Sequence, residues 1–563
     1  MSWDIRKRQR DLLAGETNLC PQGHGRGGQL SVCLVYPNRY RTGMSSLGFQ
    51  TVYALLASAP GVVCERAFLP EREELVEYRR SGQTLVSLES RRALGDFDVV
   101  AFSTSFEPDY LHIPLLLALA RIPLLSTDRD GSQPLVMAGG AAFMINPEPV
   151  ADFLDAICIG EGEEIIPTLL GALFAPGRGR DELLRSLAAL PGIYVPALRR
   201  PRYEGDRLTG FDIDPGLPER IGRVCAPLEQ YPPAQSRILT ENTEFGDMFL
   251  IEVSRGCPRG CRFCTSGFIY GPFRQQSYES IVAAVDEGLV HRSKIGLVGA
   301  AVSDYRDIGR LCRHIVERGA KVSVSSLRID RLDRDMLDAL VASGHKTISL
   351  APEGGSQRLR DLIRKNLTEQ QILDACEMLI SRDILNLRLY FIIGLPTETR
   401  ADLDELIRLV AAIRERVLER ARVNKRLGEI VLSINPFIPK PFTPFQWCGM
   451  EPLPSLERKV KLLEAAFRGM PNVRLKVEGI RDCYFQALLS RGDRSLSRLL
   501  TAMAEGASLK KGAKSCGIDT DTIVKRIIPG DEPLPWSIIG AAEMTALRAE
   551  YERVFGKEGE RQI

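Results

Sequence analysis

Short apolar, β-branched runs alternate along this chain with longer runs in which apolar positions recur every three or four residues. The first series places strand-like runs at 30–36, 61–68, 98–103, 134–138 and 155–159, with helical patterns between several of them, such as 45–58 and 109–121. That alternation predicts a parallel sheet covered by helices on both faces. Such sheets receive ligands at the carboxyl ends of their strands. The series occupies 30–196, behind a lead-in over 1–29. A proline-, arginine- and acid-rich stretch, 197–246, reads as a linker with a hairpin at 203–211.

A second alternation follows, with strands expected at 249–254, 294–299, 321–326, 346–351, 386–394 and 429–436. Helical patterns fall between them at 277–292, 305–318, 333–343, 368–382 and 400–420. Six consecutive βα units over 247–450 predict a partial (β/α)6 barrel; a complete barrel needs eight. Beyond Trp447 the text turns helical, at 455–468, 482–490 and 495–507, so 451–563 reads as a helical appendage. The fold class is therefore α/β, with a Rossmann-like domain, a partial barrel and a helical tail.

A chain of 563 residues exceeds what one core supports. A net charge of +2 gives no global pull toward nucleic acid or membrane, and leaves an RNA substrate neither supported nor excluded. The first residues carry charges without an apolar run behind them, unlike a secretory signal. The most apolar stretch, 115–125, is broken by Arg121 and Pro123 and is too short for a bilayer. The expected home is the cytoplasm. There the 13 cysteines should be reduced thiols, serving metal ligation or plain burial rather than a disulfide framework.

Three of those cysteines stand together. Ser254-Arg-Gly-Cys257-Pro-Arg-Gly-Cys261-Arg-Phe-Cys264 follows directly on the first strand of the second alternation. Three thiolates on a loop with Gly256 and Gly260 can converge on one metal centre, because glycine lets the backbone curl without Cβ clashes. A structural zinc site wants four protein ligands, usually as two pairs, and no second CxxC exists. An ordinary four-cysteine cluster would need a distant fourth ligand. Three core cysteines sit badly among polar, turn-forming neighbours. A cluster with three protein ligands and one open iron fits the pattern best.

CxxxCxxC with Phe263 before the last cysteine resembles the radical S-adenosylmethionine (SAM) superfamily. The resemblance implies a [4Fe-4S] cluster on Cys257, Cys261 and Cys264 whose open iron chelates SAM. Reductive cleavage of SAM then yields a 5′-deoxyadenosyl radical, fed by a reduced flavodoxin- or ferredoxin-type donor. Further motifs follow the later strands: Ser325-Ser-Leu-Arg328, Glu353-Gly-Gly-Ser356, Arg364-Lys365-Asn366 and Gly394-Leu-Pro396. The resemblance assigns Glu353 to the SAM ribose, Arg328, Arg364 or Lys365 to its carboxylate, and the Gly394 backbone to adenine. Where many members have Gly-Gly-Glu after strand two, this chain has Gly299-Ala300-Ala301. Backbone contacts to the SAM amino group survive that change, and carboxylate chemistry does not. Glu353 has a plainer reading too, as a carboxylate near the positive end of a helix. No catalytic residue is assigned.

Ala138-Gly139-Gly140, Asn146-Pro-Glu-Pro-Val150, Gly160-Glu-Gly-Glu-Glu164 and a later Ser490-Arg-Gly-Asp493 resemble uncharacterised radical SAM proteins with a cobalamin-binding-type Rossmann domain. The likeness covers roughly 30–495. If corrin binds, Ser103, Ser105, Gly139 and Gly140 line its nucleotide tail, and the outcome is methyl transfer to an unactivated carbon. The loop 36–48 lacks the Asp-x-His-x-x-Gly that supplies cobalt with an imidazole, so the lower face would be vacant or weakly held. Without corrin the sheet serves substrate docking or dimerisation. Two rivals stand beside methyl transfer: a corrin-free radical SAM enzyme modifying RNA or a ribosomal component, and a non-catalytic corrinoid or SAM sensor. The five histidines are scattered, and Cys448 and Cys483 read as buried filler before site thiols.

Overall fold

The computed structural model describes residues 3–20, 28–175 and 179–556. The first alternation builds a six-stranded sheet from β1 (Leu30–Tyr36), β2 (Val62–Phe68), β3 (Val99–Ser103), β4 (Leu135–Gly139), β5 (Ala156–Cys158) and β6 (Ile193–Tyr194), in the order β2-β1-β3-β4-β5-β6. All neighbours are parallel except β5 and β6. Every residue of β1 is buried, as expected of a strand covered on both faces. The chain leaves β1 to one side for β2 and returns on its other side as β3, so the carboxyl end of β1 is the topological switch point where such sheets open a crevice. Helices α1 (Leu47–Ser58) and α2 (Gly162–Leu173) lie over this edge. Ser46 caps α1 by accepting the Phe49 N–H at 3.3 Å.

The linker is packed rather than loose. It holds a hairpin, Arg199–Glu204 with Arg207–Ile213. Farther on, Ile238–Thr240 pairs antiparallel with Glu16–Asn18 of the lead-in.

The second alternation forms two parallel sheets. One holds β7 (Phe249–Glu252), β8 (Lys294–Val298) and β9 (Lys321–Val324); the other holds β10 (Thr347–Glu353), β11 (Asn386–Ile393), β12 (Ile430–Pro436) and β13 (Val473–Val477). Helices α3 (Tyr278–Leu289), α4 (Ile308–Glu317), α5 (Arg334–Ala342), α6 (Glu369–Ile380) and α7 (Arg400–Asn424) cross between them on the outside. Leu387, Leu389 and Phe391 meet that layer fully buried. The seventh strand, β13, departs from the helical reading of the tail. It follows α8 (Leu453–Phe467) and lies parallel to β12, Ile430 opposite Val473. Its five residues alternate Val-Arg-Leu-Lys-Val, too short and too charged for the period to stand out. After it come α9 (Ile480–Arg491), shorter helices and α10 (Met544–Phe555).

The two halves share a polar seam. Asn146 Nδ2 donates to the carbonyls of Gly492 at 2.7 Å and Ser490 at 3.1 Å. Glu148 accepts from Arg494 at 3.0 Å, and Lys440 pairs with Glu107. Among the described residues no helix is long and apolar enough to cross a membrane.

Candidate cluster and cofactor site

The cysteine loop leaves β7 at the barrel's carboxyl end. Ser254 and Arg255 pair antiparallel with Gln275 and Arg274, so the loop goes out and returns as a narrow arm. Gly256 has φ 84°, and a Cβ there would stand 2.5 Å from the Tyr270 carbonyl; Gly260 has φ 76°. Both turns suit glycine alone. Arg262 N donates to Ile363 O at 3.0 Å, and its guanidinium reaches Leu362 O at 2.6 Å and Glu550 at 2.7 Å.

Burial pushes the Cys257 and Cys261 thiols above their ordinary pKa. The Arg259 N–H opposes this at Cys257; Lys365 and Arg328 oppose it at Cys261, and the three thiols lie within one another's field. Among the described residues no three His, Cys, Asp or Glu side chains close around a single metal ion. A cubane offers a separate iron to each thiolate, so its ligands need not share one coordination sphere. Three thiols, glycine-shaped backbone and two nearby cations form a donor set suited to an anionic cluster.

The other expected SAM residues divide. Glu353 ends β10 at a register shift, has φ 66° and accepts from Lys365 at 3.3 Å. A left-handed glutamate beside the cluster loop is strain held at a candidate site. Arg328 grips Asp330 at 2.9 Å. Arg364 is half exposed and faces Glu550 at 3.7 Å, with its guanidinium beside Gly260 of the cysteine loop. Gly394 has φ 74°; its N–H donates to Glu398 at 2.7 Å, and a Cβ would meet Leu456 and Glu451. Its need for glycine is thus explained by the approach of α8. Phe263 packs against the core.

Ser103, Ser105, Gly139, Gly140, Gly299 and Ala300 all line one cavity of about 460 Å³, within the usual range for a small-molecule site. It runs between the first sheet and helices α1 and α2, walled by Leu34, Val52, Ala101, Met137, Ile166 and Leu170, and opens at the strands' carboxyl ends. Its far side is the barrel rim at Glu252, Ser254 and Val298. The hydroxyl of Ser254 is buried there without a partner. A Cβ at Gly140 would collide with the Thr104 carbonyl. The apolar wall and polar mouth match the amphipathic character of a corrinoid, of which the enclosed volume would take a part and the open mouth the rest. No histidine lines it. Tyr40 takes the histidine's place in the Asp-x-His-x-x-Gly spacing, but its hydroxyl is engaged by Glu16 and its ring is buried.

Sequence reasoning missed what holds the halves in line. Glu161 accepts from Arg255 at 2.8 Å and Arg274 at 2.6 Å, while Glu163 accepts from Arg255 at 2.9 Å. The acidic Gly-Glu-Gly-Glu-Glu run was the visible signal; its arginine partners lay in the cysteine arm. Cys448 and Cys483 are buried.

These features define an α/β fold whose barrel carries a three-cysteine loop at its carboxyl end, and the base of that loop, Arg255 and Gly256, lines the cavity of the Rossmann-like domain. Residues 48–196 match the family model of radical SAM proteins, N-terminal, and 251–410 match that of the radical SAM superfamily. The chain belongs to the radical SAM superfamily and is a radical SAM enzyme; it works with a [4Fe-4S] cluster, SAM, a reductant and a substrate. It is 28% identical to an uncharacterised protein of Methanocaldococcus jannaschii over 86% of this chain and 94% of that one. It is 25% identical to the anaerobic magnesium-protoporphyrin IX monomethyl ester cyclase of Cereibacter sphaeroides over 46% of this chain, and spans 41% of the cyclase. It is 24% identical to the cytidylyl-2-hydroxyethylphosphonate methyltransferase of Streptomyces wedmorensis over 54% of this chain, and spans 61% of that enzyme. Among solved structures, the cobalamin-dependent radical SAM enzyme OxsB aligns with a TM-score of 0.45 and 17% identity, over 68% of this chain and 51% of that one.

Proposed function

We propose that this chain is a cobalamin-dependent radical SAM methyltransferase acting on an unactivated carbon. The observation that carries the reading is the apolar cavity whose mouth is Ser103, Ser105, Gly139 and Gly140 and whose far side is the barrel rim at Gly299 and Ala300. A cofactor seated there lies between the Rossmann-like domain, 30–196, and the cysteine arm of the barrel, 247–450. The methyltransferase relative supports the reaction class.

When bound, the cluster and SAM supply a carbon-centred radical, and corrin supplies a methyl carrier. The protein's own part is positional. Cys257, Cys261 and Cys264 hold the cluster; Lys365 and Arg328 offer cations to the SAM carboxylate, and Glu353 offers acceptors to its ribose. The apolar wall of the cavity keeps water from a reactive centre. A flavodoxin- or ferredoxin-type protein is the proposed electron donor.

Anaerobic reconstitution with SAM and a reductant tests the reading. 5′-Deoxyadenosine should appear slowly without substrate, and S-adenosylhomocysteine only when cobalamin is added. Cys261→Ala should lose both the visible absorption of the cluster and SAM cleavage. Cleavage retained in that variant would remove the site assignment. 5′-Deoxyadenosine without any corrin bound would leave a corrin-free radical enzyme instead.

A further inference from the structure

The barrel strands are two-faced. Leu387 and Leu389 of β11 are sealed against the helices, while Arg388 and Tyr390 turn the other way. Side chains alternate across a strand, and paired residues of a parallel sheet share a face. The register therefore sets Ser349, Arg388, Val431 and Arg474 in one layer of the lumen. Tyr390, Ser433 and Lys476 form the layer above, toward the cluster end. Two strand spacings separate Arg388 from Arg474, about 10 Å between backbones, so both guanidinium groups can reach one ligand.

Complete barrels fill their interior with branched apolar side chains. Here Ser349, Arg474 and Lys476 are exposed. Nε of Arg388 is buried without a partner, and among the described residues no carboxylate pairs with Arg388, Arg474 or Lys476. The carboxylates at the rim are already engaged, Glu252 by Arg255 and Glu353 by Lys365. Charges on an edge strand also guard against unwanted strand pairing. That accounts for Arg474 and Lys476 on β13, but not for Arg388, whose strand lies between β10 and β12.

We propose that the lumen is the substrate chamber and that it grips an oxyanion, a phosphoryl or carboxylate group on a small molecule. Arg388 and Arg474 hold the anion, with Lys476 and the Tyr390 hydroxyl above it. The guanidinium fork suits such groups because it donates two parallel hydrogen bonds. Anchored there, the far end of the substrate reaches the rim where Glu252 and Val298 line the cofactor cavity. The assignment of this anion as substrate rests on the radical SAM methyl-transfer reading; the anion site itself does not.

Calorimetric titration tests the chamber, using the reconstituted full chain saturated with SAM, at fixed ionic strength. The probes are inorganic phosphate, methylphosphonate and succinate, which separate phosphoryl from carboxylate recognition. At least one should bind, and Arg388→Gln should weaken it tenfold or more while SAM affinity stays within twofold. Arg388→Lys should retain part of the binding, which guards against a mere folding defect. No binding by any probe, or equal binding by Arg388→Gln, overturns the proposal. So does a loss of SAM affinity in Arg388→Gln with probe binding unchanged, since Arg388 would then serve SAM's own carboxylate. Probe binding that falls in Arg388→Gln upholds the chamber even if the wild type releases no 5′-deoxyadenosine, in which case the reaction reading alone fails.

Discussion

Glu161 of the first domain accepts from Arg255 of the barrel at 2.8 Å, and Arg255 stands two places before Cys257, the first of the three cysteines proposed to hold the cluster. The arm that carries the three cysteines is thus tied to a carboxylate on the other domain, at the wall of the large cavity.

Replacing Glu161 with glutamine should loosen this seam. Burial alone would raise its carboxyl, but Arg274, Arg255 and the Ala226 N–H outweigh burial and hold it below the usual range. Its contribution is therefore complete above about pH 4.5 and is lost as the pH falls through the lowered value. Arg255 would keep Glu163 and Glu252, so the expected loss is that of charged hydrogen bonds, about 1.5–3 kcal/mol. Anaerobic urea denaturation at neutral pH should show it, together with less iron retained on reconstitution. An unchanged midpoint would detach Glu161 from the arm.

Filling the cavity should separate corrin binding from SAM cleavage. Ala101 lines the apolar wall, so Ala101→Phe would occupy open space rather than crowd a packed core. Corrin binding, followed by retained absorbance after gel filtration, should vanish while 5′-deoxyadenosine release persists. In the wild type, bound cob(II)inamide, which carries no benzimidazole of its own, should show no nitrogen splitting in its electron paramagnetic resonance spectrum, because no histidine lines the cavity. A nitrogen triplet would mean that an imidazole reaches the cobalt after all.

The parts legible in the sequence were those carried by local pattern. β1 reads as a buried parallel strand because all its residues are apolar or small, and the cysteine loop follows β7 as its spacing requires. What stayed illegible depended on distant partners. Asn146 and Glu148 were legible only as part of a family motif; nothing beside them in the chain foretells that they bind the Ser490–Asp493 turn and Arg494 across the seam. Nothing near Arg364 in the chain foretells Glu550, and β13 hides because alternate Arg and Lys on an open face erase the apolar signal of a strand.

Asp109 gives the fold a pH-dependent term. Its side chain is 5% exposed, and burial pushes its carboxyl up to about 7 against the hydrogen bond from Asn38 Nδ2 at 2.7 Å. The facing His112 is pushed down by burial and adds little charge at neutral pH. Between the ordinary value and about 7 the folded chain keeps a proton that the unfolded chain has released. This stabilisation is full at low pH and is lost as the pH rises through 7, up to about 4 kcal/mol across the window. Asp109→Asn cannot ionise, so the stability of the wild type relative to it should fall between pH 4.5 and 8. Parallel denaturation curves across that range would contradict the raised value.

The last helix also touches the cysteine loop. Glu550 of α10 accepts both Nε and Nη2 of Arg262, at 2.9 and 2.7 Å, and Arg262 stands between Cys261 and Cys264. Burial alone would raise its carboxyl, yet Arg262 holds it low. The rings of Tyr551 and Phe555 seat α10 on Trp447 and Phe445, each pair with centroids 5.6 Å apart. Glu550→Ala would leave Arg262 its backbone carbonyl partners but remove the charge that fixes the loop. The cluster's absorbance should then decay several-fold faster in air or chelator than in wild type, with the unfolding free energy falling by no more than about 1–3 kcal/mol. Ala101→Phe, which changes the cavity and not this contact, should decay at the wild-type rate. Equal decay in all three would mean that α10 merely covers the barrel's flank and does not protect the cluster.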